Sequence, residues 1–186
     1  MRSTILILVI FGAIALFAIV IYNRLVGKRN MVRNAFSSID VNLRKRHDLI
    51  PSLVETVKGF AKHEKETFAG LIEARNQIQS GNLSESERLR LEEQIGPRMQ
   101  RLLAVAEDYP ELKSSNHFLN LQRNLTEIEE QISAARRAYN AAVMDINNSV
   151  ESFPSNLVAS TFGFQRHDFF EATEAVRAPV DIDMKS

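Results

Sequence analysis

FLNLQRNLTEIEEQISAARRAYNAAVMDINNSVESF, residues 118–153, decides the fold. Phe118, Leu121, Leu125, Ile128, Ile132, Ala135, Tyr139, Ala142, Ile146, Val150 and Phe153 recur at steps of three and four, the spacing that lines one face of an α-helix. The seam lasts five heptads, and a seam of that length needs an apolar partner along all of it. Antiparallel neighbours joined by short loops supply one, so the stretch predicts one member of an elongated antiparallel four-helix bundle in an all-α chain. No strand alternation competes with it here.

Toward the N-terminus the same periodicity continues. Leu91, Ile95, Met99, Leu102, Ala106 and Tyr109 form a stripe that Ser84-Glu85-Ser86-Glu87 opens as a capping box and Tyr109-Pro110 closes, with a kink or split expected at Gly96-Pro97. Before it, Leu53, Val54, Val57, Phe60, Ala61, Phe68, Leu71, Ile72 and Ile78 predict a helix ending at Ser80-Gly81-Asn82, with Glu64 intruding on its apolar face. Pro51 removes a backbone donor and disfavours helix at Ile50, so a break is expected near residues 48–50. A first helix precedes that break, its stripe running through Leu25, Val32, Phe36, Ile39 and Leu43.

That first helix grows out of Ile5–Tyr22, eighteen apolar residues without interruption. At about 1.5 Å per residue the run covers roughly 27 Å, close to the roughly 30 Å hydrocarbon core of a bilayer. A cleaved leader has an apolar region of about 7–15 residues with its cleavage site at the end. Ala13-Ile14-Ala15 lies inside the run instead, and with no cysteine in the chain lipoprotein processing is excluded. Residues 1–22 therefore read as a retained single-pass anchor, 23–153 as the helical domain and 154–186 as an aromatic-rich C-terminal tail. Arg24, Lys28, Arg29 and Arg33 follow the span, against Arg2 and the α-amine before it. This bias favours an outside N-terminus and a cytoplasmic domain.

The 23 basic and 23 acidic residues cancel overall but not locally. Arg24 to Arg46 holds seven bases against Asp40, whereas Ser152 to Ser186 holds five acids against three bases. Arg24, Lys28, Arg29 and Arg33 stand close enough to the span to meet anionic lipid head groups; Arg44, Lys45 and Arg46 lie roughly 33 Å further along a straight helix and do not. A solvated face that merely signals topology explains the same four residues. Nucleic acid is disfavoured as a partner, because no basic stripe interleaved with aromatics appears. The tail gathers five of eleven phenylalanines between Phe153 and Phe170. Disordered tails are poor in aromatics, so Phe162, Phe164, Phe169 and Phe170 either fold back on the helices or form a self-association surface. Val180-Asp181-Ile182-Asp183 alternates like an edge strand.

Several strings resemble the LemA family of bacterial membrane-anchored proteins: Tyr22-Asn23-Arg24-Leu25-Val26, Arg46-His47-Asp48-Leu49-Ile50-Pro51-Ser52-Leu53-Val54, and Val57-Lys58-Gly59-Phe60-Ala61-Lys62-His63-Glu64. Leu103 to Lys113, Ala135 to Asn140 and Phe153-Pro154-Ser155-Asn156 continue the likeness, which spans nearly the whole chain in the right order. Ile146 before Asn147 departs from the second aromatic usual in the family. The resemblance implies a four-helix soluble domain on one span in the bacterial inner membrane, with its short N-terminus outside. It implies no agreed enzymatic activity, only loose links to envelope maintenance, membrane proteolysis and, in one branch, organelle membrane formation.

Catalytic chemistry finds little footing in the residues. His63-Glu64 begins a zinc-protease helix, but Thr67 stands where the second histidine is needed. Di-iron bundles use Glu-x-x-His, and the residues three before the four histidines are Arg44, Phe60, Ser114 and Phe164. No phosphate-cradling loop occurs. No catalytic residue, metal site or cofactor is therefore assigned. Arg46-His47-Asp48 reads as a helix-end polar network, with Asp48 capping the helix that starts near Pro51. A functional alternative is a pH switch through His47 and His63. Tyr139 is expected in the seam, with Asn140 bonding across helices. Two classes remain: a scaffold that homo-oligomerises laterally in the bilayer, and an adaptor or sensor presenting its bundle to a membrane protein such as a protease or kinase.

Overall fold

The computed structural model describes residues 1–61, 65–80 and 85–170, and among them every regular element is helical. The order is α1 (Arg2–Lys58), α2 (Lys65–Gln79), α3 (Glu85–Val105), a 3₁₀ turn (Ala106–Asp108), α4 (Pro110–Lys113), α5 (Asn116–Glu151) and α6 (Ser155–Thr161). Four of these helices have fifteen residues or more. The capping-box serine Ser84, the intruding Glu64 and the alternating Val180 to Asp183 lie outside the described residues.

The break expected near residues 48–50 is absent, since α1 runs through Pro51 to Lys58. Proline cannot donate to the carbonyl four residues back, which is His47 O. Arg75 Nε from α2 donates to that carbonyl at 2.9 Å and replaces the missing bond. Backbone satisfaction removes much of the reason for a helix to end at proline. The chain turns instead at Gly59-Phe60, and glycine is the weakest helix former after proline, by about 1 kcal/mol relative to alanine. Nor does Gly96-Pro97 split α3, which is continuous to Val105.

The chain divides into two compact units that cut across α1 and α5. In the first, residues 1–40 and 133–170, the start of α1 packs on the end of α5. Val32 meets Val143 and Ile146, with Tyr139, Ala142 and Val150 beside them. A second cluster joins Leu25 to Ala159 of α6 and Phe164. Lys28 Nζ donates to Asp145 Oδ1 and Ser149 Oγ at 2.7 Å each, fixing the helix pair at its polar margin.

In the second unit, residues 41–132, one core takes Ile50, Leu53, Val54 and Val57 from α1, Phe68, Leu71, Ala74 and Ile78 from α2, and Ile95, Met99 and Leu102 from α3. Leu112 of α4 and Phe118, Leu121 and Leu125 of α5 complete it. Three stripe residues depart from expectation: Phe36, Phe60 and Ile72 are exposed, and Ala74, three residues after Leu71 and four before Ile78, takes the buried place in α2. Phe153 also leaves the seam, because α5 ends at Glu151 and its ring is 80% exposed.

Candidate functional site

Arg46, His47 and Asp48 do not form a helix-end network. With α1 unbroken there is no helix start for Asp48 to cap, and Asp48 is exposed. Arg46 and His47 point the other way, into the second unit, with side chains 3% and 5% exposed. Their partner is Glu92 of α3, itself 3% exposed. Arg46 Nη2 donates to Glu92 Oε2 at 2.6 Å and to the Glu92 carbonyl at 3.2 Å, while Nη1 reaches Glu129 Oε1 of α5 at 3.2 Å. His47 Nε2 lies 3.1 Å from the same Glu92 Oε2. One carboxylate oxygen thus serves two bases.

Burial pushes the Glu92 carboxyl up, but the hydrogen bond and charge of His47 and the charge and hydrogen bond of Arg46 outweigh it. The group is held below the ordinary glutamate value of 4.5. The cluster pins α1, α3 and α5 of this unit at one level. Arg46 and His47 are both spent on the one Glu92 carboxylate, so the arrangement is suited to fixing register between helices. Among the described residues no group of three or more His, Cys, Asp or Glu side chains could hold a metal ion.

A second arrangement lies in the first unit. After α6, Gly163 takes a positive φ of 69° and turns the chain back along α5 as an extended strap. Asn147 holds His167 by both backbone groups, its Nδ2 donating to the carbonyl and its Oδ1 accepting from the amide, at 2.9 Å each. Asn140 holds Phe170 in the same way, at 3.0 and 2.8 Å. The geometry is commensurate: seven helical residues rise about 10.5 Å, and three extended residues span about 10 Å. Each amide side chain acts as a strand's peptide group would, antiparallel to the strap. Tyr139 Oη donates to the Asp168 carbonyl at 3.2 Å, and the Arg136 guanidinium lies 4.7 Å from the Phe170 ring centroid. Among the described residues, Asn140 therefore bonds to the strap and not to a neighbouring helix.

The four tail phenylalanines part company. Phe164 is buried with Leu25, beneath the Arg29 guanidinium at 5.1 Å, and Phe170 meets Tyr139 edge-on. Phe162 and Phe169 stay half exposed, although Phe162 touches Tyr22. Of the basic residues after the apolar run, Lys28 and Arg29 are engaged within the chain, whereas Arg24 and Arg33 are exposed. The run itself is bare: only 6% of its most apolar eighteen-residue window is buried. His63 lies outside the described residues.

Glu92 and the strap clamp escaped the sequence reading, though both left a signal. Arg46 sits on the α1 stripe between Leu43 and Ile50, and Glu92 sits three residues before Ile95 on the α3 stripe. Two charged residues on two core seams call for each other. Asn140 and Asn147 stand one heptad apart beside that of α5.

These features define an all-helical protein with an N-terminal helix long and apolar enough to cross a membrane. The LemA family profile matches residues 35–184, and the chain belongs to the LemA family. It is 26% identical over 159 residues to Protein LemA of Metamycoplasma hominis, a match covering 86% of this chain and 73% of that protein. Magnetosome protein MamQ 2 of Paramagnetospirillum magneticum is 33% identical over 86 residues, 46% of this chain and 32% of its own length. Magnetosome protein MamQ of Magnetospirillum gryphiswaldense is 27% identical over a stretch of the same length.

Proposed function

We propose that this chain is a non-enzymatic, membrane-anchored scaffold that organises the bacterial envelope by lateral self-assembly. Ile5–Tyr22 spans the inner membrane with the N-terminus outside, and the helical domain, an elongated bundle, stands in the cytoplasm. The carrying observation is the bare apolar run on a domain that keeps further large apolar side chains uncovered, among them Met31, Phe36, Met144 and Phe169. Such side chains are normal singly, and together they give copies held in one plane something to bury. Confinement by the anchor favours this, because it raises the effective concentration of each copy for the next. Arg24 and Arg33, exposed beyond the span, add attraction to anionic lipid of about 1 kcal/mol each near the surface. The likeness to magnetosome proteins supports a membrane-associated role.

Because the chain has no cysteine, the test is clean. Single cysteines at Phe36 or Met144, treated with a short bifunctional maleimide in native membranes, should each give covalent dimers, and the variant carrying both should give a ladder of larger species. A chain that stays monomeric at both positions refutes self-assembly and leaves the adaptor reading.

A further inference from the structure

A quarter of this chain is charged, yet residues 152–165 carry no charge. They form the corner after α5, then α6 and the beginning of the strap. The inner side of the corner, Ala159 and Phe164, is buried with Leu25, and Ile21, Tyr22 and Val26 pack on the same cluster. The Phe162 ring centroid lies 4.8 Å from that of Tyr22, the last residue of the apolar run. The corner therefore sits beside the turn of α1 where the run ends. Its outer side presents Phe153, Leu157 and Phe162, which are 80%, 58% and 58% exposed. The hydroxyls between them are bonded to local backbone: Ser155 donates to the Ser152 carbonyl, and Ser160 and Thr161 both donate to that of Leu157.

We infer that this corner is a second membrane contact, a foot that seats Phe153, Leu157 and Phe162 at the boundary between head groups and acyl chains. The inference rests on the reading of Ile5–Tyr22 as the span. Three observations favour lipid as the occupant. The corner is level with the end of the span, the depth at which amphipathic segments lie. It lacks charge where a charge would be costly to bury. Its hydroxyls spend their donors on the corner's own backbone, which lowers the cost of leaving water. Arg24, exposed one turn before Lys28, supplies a cation for the head groups at the same level.

The chain contains no tryptophan, so single tryptophans report depth without background. The full-length variants F153W, L157W, F17W and M31W are reconstituted into phosphatidylethanolamine–phosphatidylglycerol vesicles carrying bromine at shallow or deep acyl positions. Met31 is nine residues past Tyr22, about 13.5 Å along α1 and beyond the head groups. The expected result is deep quenching of F17W, loss of most F153W and L157W emission to shallow bromine, and no quenching of M31W. If F17W is quenched while F153W and L157W behave like M31W, the foot is refuted and the anchor stands. Blue-shifted but unquenched L157W would mean that a second copy covers the corner, which also overturns the proposal. An unquenched F17W would remove the span and the foot with it.

Discussion

Replacing Glu92 by glutamine should unfold the second unit at a markedly lower temperature. The substitution keeps the volume and removes the charge that faces Arg46 at 2.6 Å and His47 at 3.1 Å, with both side chains of the Arg46–Glu92 pair 3% exposed. Stripping one partner from a buried ion pair costs about 3–5 kcal/mol, because the remaining charge stays desolvated. Arg46 keeps Glu129 at 3.2 Å, but that carboxylate is 42% exposed and offsets only part of the loss. The lower end, about 3 kcal/mol, is the expectation. For a chain of this size that is a drop in Tm of about 6–12 °C, read from helical circular dichroism of the full chain in mild detergent. The double variant R46M/E92M leaves neither charge of the pair and should fall within about 1 kcal/mol of the parent. A double variant as unstable as the single one, or a single variant that melts with the parent, would refute the account of the cluster as a desolvated pair.

The same carboxyl sets an acid limit. Its value in the folded chain lies below the unfolded 4.5, so the folded state binds the proton less readily. The stabilisation is complete above 4.5 and drains as pH falls through the folded value; E92Q should flatten this part of the pH–Tm curve. R75M leaves the His47 carbonyl without its donor and should cost about 1–3 kcal/mol, most of which P51A should restore by returning the backbone N–H; no rescue in the double variant would remove Arg75 from that role. N140L/N147L should speed hydrogen exchange at His167 and Phe170 while leaving the unit 2 core protected, at a cost of about 2–4 kcal/mol for four hydrogen bonds. Cysteines at Ser3 and Asn120, probed on intact cells with an impermeant maleimide, should label at Ser3 alone; labelling at Asn120 instead would invert the proposed orientation.

How much of this was legible depends on the range of the interaction involved. The seam of α5 was readable because periodicity is local, and ten of its eleven positions, Phe118 to Val150, are buried or partly buried as the spacing implies. Pro51 misled for the opposite reason. Its local effect is to end a helix, and what overrides it is a guanidinium 24 residues away in sequence on another helix. Arg46 and Glu92 are 46 residues apart, so each alone looks like an ordinary surface charge, and only their places on two apolar stripes betray them. The strap was half legible: its aromatic content argued against disorder. The grip of Asn140 and Asn147, however, depends on helix rise matching strand rise, which no pattern of residue types displays.

That match has a consequence for how the strap tolerates change. The two asparagines grip peptide groups, which every residue but proline offers alike, so between Phe164 and Phe170 they measure distance and are blind to side-chain identity. Gln165 and Asp168 can vary in kind without touching either grip, while Arg166 adds a separate exposed ion pair with Glu151 at 2.9 Å. Adding or removing one residue between His167 and Phe170 shifts the second grip by about 3.3 Å, beyond the reach of a hydrogen bond. The strap works as a ruler whose markings are asparagines and whose unit is the residue.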